Sequence, residues 1–183
     1  MKTSYATLVL LLVPVLTSAD GPERLRADLI GYQEVPSVST PAHGTFTAVI
    51  ADDEASISYE LTYDDLIGTV QQAHIHFGQK SVNGSVVVWL CQTATTPAPA
   101  SVASITPVCP QSGTVVGTIT SANVVAAGTP SQQITAGELG EVIAAIRGGV
   151  AYANVHATPL NPGGEIRGQI QDNKKDHPDH DGR

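Results

Sequence analysis

The strongest constraint on this chain is an alternation of apolar and polar residues with a period of two. Side chains two residues apart lie on the same face of a β-strand, so this pattern indicates half-buried strands, and the segments are rich in Val, Ile and Thr. The pattern occurs in eight segments: 24–30, 44–51, 54–63, 69–77, 84–91, 113–120, 150–157 and 164–171. Eight strands in one domain predict an all-β sandwich or closed barrel.

One segment has a helical pattern instead. In "TAGELGEVIAAIRGG", Leu139, Val142, Ile143 and Ile146 fall on one helical face, and the glycine pair at the end favours termination there. Thr135 and Glu138 have the spacing of a capping box at the start. The sequence therefore predicts one short helix in a crossover loop, with its apolar face covering the barrel as a lid.

The two ends of the chain are predicted to lie outside the domain. Residues 1–19 have the features of a signal peptide: Lys2, an apolar run from residue 5 to 16, and small residues ending at Ala19. The domain is predicted to span residues 20–171, followed by a disordered charged tail over 172–183. We expect a secreted protein, or a periplasmic one if the host is bacterial. No further apolar run has the roughly 20 residues of a membrane helix, so no membrane span is predicted.

The charge of the chain excludes one class of partner. The sequence has 9 Lys and Arg against 17 Asp and Glu, a formal net charge of −8 at pH 7, and no cluster of basic residues. Binding to nucleic acid or anionic lipid requires cations that replace the counterions around phosphate. We therefore predict no nucleic-acid partner.

The two cysteines are predicted to form a disulfide bond. Cys91 and Cys109 flank a segment rich in Pro, Ala, Ser and Thr. An even number of cysteines in an exported protein favours pairing. The alternative, a catalytic or metal-binding thiol pair, is disfavoured because the spacing is not that of a CxxC motif.

Three histidines are candidate metal ligands. His74 and His76 lie on the same face of the strand predicted over 69–77, and His156 lies in another predicted strand on the same face as Tyr152 and Asn154. Neutral imidazole is a common ligand of copper and zinc. Histidines with hydrogen-bonded or solvent-exposed side chains are the alternative interpretation. His43 is the one other histidine before the tail.

Other motifs of catalysis are missing from the sequence, and no catalytic residue is predicted. No GxSxG, HExxH or glycine-rich phosphate loop occurs. Glu165 and Arg167 share one face of the last strand and are predicted to form a charge pair, worth little where it is exposed. Asn83-Gly84-Ser85 is a glycosylation acceptor in a eukaryotic host and equally a tight-turn signal, and the turn is favoured.

Several blocks of the sequence resemble the CHRD domain family, named for repeats in chordin. They are "LIGYQEVPSVSTPAHGTFTAVI", "GTVQQAHIHFGQKSVNGSVVVWLC", "GTVVGTIT" and "YANVHATPLNPGGEIRGQI". The resemblance covers about residues 25–171, and the AHIHFG and GEIRGQI blocks are the most specific. It implies family membership, whereas function has to be argued from the site itself.

A looser resemblance is to copper/zinc superoxide dismutase, a Greek-key β-barrel. The His-x-His strand, the later Val-His strand and the intervening cysteine loop are similar, and the resemblance implies that His74, His76 and His156 are copper ligands. Residues 92–112, where the zinc loop of that enzyme would lie, contain no His or Asp. One ion is therefore implied, copper or zinc, with His43 as the spare imidazole for a fourth position.

Two hypotheses remain open at this point. In the first, the protein binds one copper or zinc ion, and as an enzyme it would be a superoxide dismutase-like copper oxidoreductase. That activity needs a cationic guide for the substrate, and the sequence identifies no arginine near the site, so binding is favoured over catalysis. In the second, the protein is a metal-free extracellular module that recognises a protein or polysaccharide through its Pro-rich loops.

Overall fold

A computed structural model of the chain describes residues 21–173; the predicted signal peptide and the predicted tail beyond residue 173 lie outside the described residues. Within them the chain is mostly β. The strands are β1 (Glu23–Ile30), β2 (His43–Ile50), β3 (Ile57–Asp64), β4 (Thr69–Phe77), β5 (Ser85–Cys91), β6 (Gly113–Ile119), β7 (Ala151–Thr158), β8 (Asn161–Gln169) and β9 (Gln171–Asp172). One α-helix, α1, spans Leu139–Arg147, and four short 3₁₀ turns complete the structure in this range.

The strands form one antiparallel sheet that curls into a nearly closed barrel. The order around the barrel is β5-β4-β7-β8-β1-β2-β3-β6, and β9 pairs with β1. The neighbours β4–β7 and β3–β6 are distant in the sequence, as in Greek-key connections. Near the seam between β5 and β6, the Tyr59 hydroxyl donates to the carbonyl oxygen of Leu90 at 2.6 Å. The all-β barrel with one helix confirms the predicted fold class.

Burial differs between the two halves of the barrel. In β1 and β3 every second residue is buried, as the alternation predicts for half-buried strands. In contrast, residues Ala73–His76 of β4 and Ala151–Ala157 of β7 are buried without interruption. One face of these strands contributes Ile75 and Val155 to the apolar core. The other face must therefore be covered by loops, and this covered outer face contains the candidate site.

Helix α1 begins later than its sequence pattern predicts. Glu138 does accept a hydrogen bond from the backbone N–H of Thr135 at 2.7 Å, which is one half of a capping box. Gly137 has a φ of +89°, however, and this left-handed conformation separates Thr135 from the helix, which starts at Leu139. The buried residues Val142, Ile143 and Ile146 join the core, so the helix covers the barrel as expected.

The predicted disulfide bond between Cys91 and Cys109 is present. It joins the end of β5 to the loop before β6, across a sequence separation of 18. Gln92 supports the loop, since its amide donates to the carbonyl oxygens of Ala103 and Thr106 at 2.7 and 2.9 Å. The loop is thus fixed to the end of the barrel.

Strand boundaries differ from the prediction most at β3 and β8. β3 begins at Ile57 rather than at 54. β8 begins at Asn161 rather than at 164 and ends at Gln169 rather than at 171, and the short strand β9 follows at Gln171–Asp172. No helix in residues 21–173 combines the length and the apolar character needed to cross a membrane.

Candidate metal centre

Three neighbouring strands place polar side chains on the covered outer face of the barrel. Their opposite-facing neighbours, such as Ile75, Ala153 and Ile166, belong to the apolar core. The buried polar set consists of His74 and His76 on β4, Tyr152, Asn154 and His156 on β7, and Glu165 and Arg167 on β8. The period-two alternation thus sorts each strand into an apolar inner face and a polar, but also buried, outer face.

The register between β4 and β7 brings the three histidines together. His74 lies opposite Asn154 and His76 lies opposite Tyr152. The pairing register shifts between Val70 and Gln72, and His156 lies opposite Gln72. Each of the three histidines offers one ring nitrogen such that the three nitrogens lie within 4.8 Å of one another. The structure therefore brings together the residues that the sequence selected as candidate ligands.

Two of the histidines are held by backbone carbonyl groups. Nδ1 of His76 donates to the carbonyl oxygen of Gly84 at 2.9 Å, and Nδ1 of His156 donates to that of Pro162 at 2.9 Å. Because a carbonyl oxygen can only accept, Nδ1 carries the proton in both rings and Nε2 is left as an acceptor. Nε2 of His156 faces Nδ1 of His74 at 3.2 Å. Fixing one ring nitrogen in this way is how proteins orient metal-binding histidines.

Two ring nitrogens of the cluster have no hydrogen-bond partner. Nε2 of His74 and Nε2 of His76 are both buried, and neither makes a hydrogen bond of good geometry among the described residues. Asn154 is close enough to His76 to oppose the lowering of its pKa. Leaving a buried polar atom unpaired costs about 1–3 kcal/mol, so a folded protein seldom leaves two of them side by side. The donor set, two unpartnered imidazole nitrogens next to the lone pair on Nε2 of His156, fits a bound cation.

Burial keeps all three imidazoles neutral. Removal from water lowers the pKa of His76 to about 4, and it lowers the pKa of His74 and His156 as well. For His74, the neighbouring His156 and His76 lower the pKa further. Metal ligation requires neutral imidazole, so no proton has to be displaced from a charged ring near neutral pH.

Aromatic and cationic side chains surround the cluster. The ring of Trp89 on β5 meets His74 edge-on at a centroid distance of 4.3 Å. Tyr152 stacks on His76 with the ring centroids 4.6 Å apart and the planes inclined by 5°. The guanidinium carbon of Arg167 lies 3.3 Å from the centroid of the Tyr152 ring. Arg167, Tyr152 and His76 thus form a continuous column.

The predicted charge pair between Glu165 and Arg167 is wrong. Both residues are buried, and each has partners of its own. Glu165 accepts hydrogen bonds from the Thr40 hydroxyl at 2.6 Å and from the backbone N–H of Ile67 at 2.9 Å. Arg167 donates to the carbonyl oxygens of Gln79 and Val82, and thereby fixes the loop after β4 over the outer face.

Arg167 is an arginine near the site that the sequence did not identify. Its guanidinium is separated from His76 only by the ring of Tyr152. The period-two alternation along β8 correctly predicted that Arg167 lies on the same face of the strand as Glu165. The pairing of β8 with β7, which places Arg167 opposite Asn154, could not be read from the sequence.

Glu34 is a further buried polar residue that the sequence did not indicate. It follows the 3₁₀ turn Gly31–Gln33, and its Oε1 is buried without a hydrogen-bond partner in the described part of the chain. Burial raises the pKa of Glu34 to about 7, which outweighs the opposing effect of Arg167. Glu34 lies in a loop, two residues before Pro36, and this segment has no period-two pattern.

His43 lies apart from the three-histidine cluster. It is the first residue of β2, its side chain is 61% exposed, and its Nδ1 donates to the carbonyl oxygen of Pro41 at 3.3 Å. Its nearest carboxylate is Asp65, at 3.9 Å. The group of histidines that can share one ion does not include it.

Asn83 has a structural role at the turn before β5. Its amide donates to the carbonyl oxygen of Val35 at 3.0 Å, and its Oδ1 accepts from Arg167 at 3.4 Å. At Gly84, any Cβ atom would collide with the carbonyl group of Phe77. These contacts agree with a tight turn at this position, which brings the Gly84 carbonyl to His76.

Comparison with known proteins gives one match. The family model described as "CHRD domain" matches residues 25–170, which is most of the chain. No curated protein and no solved structure gives a significant match.

Proposed function

The chain belongs to the CHRD domain family, and we propose that this member is a secreted module that binds one copper or zinc ion through His74, His76 and His156. The family, the disulfide bond and the barrel are consistent with an extracellular location. The ion would be a resident part of the fold, held between β4 and β7.

The observation that supports this proposal is the state of the ring nitrogens. Two imidazoles are fixed through Nδ1 by carbonyl groups, and two buried Nε2 atoms in the cluster have no partner. In a metal-free module, the ring nitrogens of buried histidines would be expected to form hydrogen bonds with backbone groups or other side chains. The unpartnered nitrogens therefore favour the metal-binding hypothesis.

The choice of ion follows from the ligands. Three neutral nitrogen donors suit copper or zinc better than magnesium or calcium, which prefer oxygen. No Cys, Asp or Glu of the described chain joins the three histidines in this group. Residues 92–112 supply no His or Asp, which is why we propose one ion.

The chain's own residues would orient the ligands and exclude water. Gly84 and Pro162 fix two imidazole rings, while Trp89 and Tyr152 enclose the cluster. Each of the three histidines is at most 8% exposed. A centre with so little access is better suited to holding an ion than to turning over a dissolved substrate, so we propose binding and assign no catalytic residue.

The proposal is tested by metal content. The mature protein, purified without a polyhistidine tag, is expected to retain about one copper or zinc ion per chain in elemental analysis. His76→Ala and His156→Ala should each lose most of the ion, because two remaining imidazoles rarely suffice for tight binding. His43→Ala is the matched control, since it removes an exposed histidine outside the cluster.

Folding of each variant is checked by near-ultraviolet circular dichroism, which reports on the environment of Trp89. If a folded His76→Ala or His156→Ala variant kept its metal stoichiometry and affinity, the proposed site would be wrong. Metal-free wild-type protein that takes up no copper or zinc in a calorimetric titration would contradict the proposal independently of any substitution.

A further inference from the structure

A second candidate site lies on the surface beside the histidine cluster. Two adjoining cavities of about 390 and 350 Å³ share Gln33, Lys80 and Gln169, and we refer to them together as the basic groove. The first cavity extends to Tyr32 and Arg167, and the second extends to Arg26 and Gln171. Each volume is within the range of small-molecule sites, roughly 300–1,000 Å³.

The charge of the basic groove contrasts with that of the chain. The described residues include five basic side chains: Arg24, Arg26, Lys80, Arg147 and Arg167. Three of these five line the groove, in a protein with a net charge of −8. Lys80 is exposed and forms no ion pair within residues 21–173. The groove is therefore a local exception to an acidic surface, and it favours an anionic ligand.

Acidic residues at the groove do not cancel this preference. Asp28 is paired with Arg26 at 2.6 Å. Glu34 forms part of the wall, but burial raises its pKa to about 7, so the carboxyl group is largely neutral in mildly acidic solution. Lys80 therefore remains as the cation available to a ligand, because Arg167 is 2% exposed and donates to the carbonyl oxygens of Gln79 and Val82.

The neutral lining points to a sugar. Tyr32 is 72% exposed at the edge of the groove, and an exposed aromatic face is a typical platform for the apolar face of a sugar ring. Gln33 retains its side-chain oxygen and one N–H after donating to the Asp28 carbonyl, and Gln171 is exposed. Such amides can donate to and accept from hydroxyl groups.

A peptide is a poorer fit to the same surface. Peptides in grooves commonly add a strand to a free sheet edge or insert an apolar helix face. Here β1 is paired with β2 on one side and with β8 and β9 on the other, and β8 is also paired with β7. No strand edge is free within the groove, and its available groups are side-chain amides and cations.

We propose that the basic groove binds an oligosaccharide that carries carboxylate groups, such as an oligouronate. The carboxylate would meet Lys80, a sugar ring would pack on Tyr32, and the adjoining second cavity would receive the next unit. This site is separate from the three-histidine cluster, and the inference does not depend on metal binding.

The test uses oligogalacturonate of about four to six units, titrated into the mature protein by calorimetry. Lys80→Ala and Tyr32→Ala change exposed side chains and are expected to weaken binding roughly tenfold or more. Arg24→Ala removes the same charge from an exposed position outside the groove and should change the affinity less than about twofold. The same oligosaccharide with its carboxylates reduced to alcohols should bind much more weakly.

Three outcomes would overturn the proposal. The first is that oligogalacturonate does not bind. The second is an equal loss of affinity with Arg24→Ala and Lys80→Ala, which would indicate a diffuse charge effect. The third is equal or tighter binding of oligoglutamate, which would indicate an acidic peptide as the ligand. Titration of His156→Ala separates the two sites, because a folded variant without metal should still bind the oligosaccharide.

Discussion

Nδ1 of His74 lies 3.2 Å from Nε2 of His156, although the two residues are 82 positions apart in the chain. Nδ1 of His156 donates to Pro162, so in the neutral ring Nε2 must accept, and the proton between the two rings belongs to His74. Nε2 of His74 is then a bare lone pair with no partner. An ion that binds Nε2 of His156 has to displace this hydrogen bond. Metal binding would therefore change the surroundings of both histidine rings at once.

The first prediction uses Trp89, the single tryptophan of the sequence. Its ring is 4.3 Å from that of His74, close enough for a bound paramagnetic ion to quench its fluorescence strongly. We expect addition of one equivalent of copper(II) to metal-free protein to remove most of the emission, and zinc to leave it largely intact.

The control for this experiment is Trp89→Phe, which should bind copper with similar stoichiometry in elemental analysis while losing the optical signal. Quenching that continues to increase well beyond one equivalent would argue for loose surface binding instead of a single buried site.

The second prediction concerns pH. Because burial lowers the pKa of His76 to about 4, and the pKa of His74 and His156 also lies below the usual value, protons compete with a metal only in more acidic solution. Zinc affinity measured by calorimetry should therefore change little between pH 7.5 and 5.5. A site of ordinary histidines, with a pKa near 6.5, would weaken steeply over this interval.

The third prediction concerns the buried carboxyl group of Glu34. The folded-state pKa of about 7 lies above the ordinary value of 4.5, so between these values only the folded protein holds the proton, and stability falls as pH rises. Above pH 7 the accumulated loss is roughly 3 kcal/mol. Glu34→Gln should therefore raise the free energy of unfolding at pH 8 by about 2–3 kcal/mol and have little effect at pH 4.5.

Denaturant titrations at the two pH values measure this difference. Glu60→Gln serves as the control, because it removes the same charge at an exposed position of β3. An equal effect of Glu34→Gln at both pH values would show that Glu34 does not carry the pH dependence.

The fourth prediction concerns the disulfide bond. Replacing both Cys91 and Cys109 with serine opens a loop with a sequence separation of 18, and the chain-entropy model gives a loss of about 3 kcal/mol. For a domain of this size, the midpoint of thermal unfolding should fall by roughly 6–12 °C. Metal stoichiometry should stay the same, since Cys91 lies opposite Ala73, on the core side of β4.

Strands were predictable where the alternation was strong. The bounds of β4 were predicted as 69–77 and observed as Thr69–Phe77. The start of β8 was predicted three residues too late because Pro162, Gly163 and Gly164 have low strand propensity, yet pairing of Asn161 with Ala157 extends the strand through them. The two-residue β9 is too short and too polar to produce a pattern.

The candidate site was predictable only in part. Strand alternation and the family resemblance selected His74, His76 and His156, and the structure brings them within range of one ion. The column of Arg167, Tyr152 and His76 could not be predicted, because it depends on which strands are neighbours around the barrel. The burial of Arg167 depends on loops that cover the outer face, and an exposed position was the reasonable expectation from residue type alone.

The burial of the histidines also has a kinetic consequence. An ion held by side chains that are at most 8% exposed cannot leave until the turn at Gly84 or the one at Pro162 moves aside, since both turns are hydrogen-bonded to the ligands. Its residence time is then set by local opening of the fold rather than by the strength of the metal–nitrogen bonds. Which metal a molecule contains would in that case be decided largely when the chain folds, by the metal supply it meets at that moment.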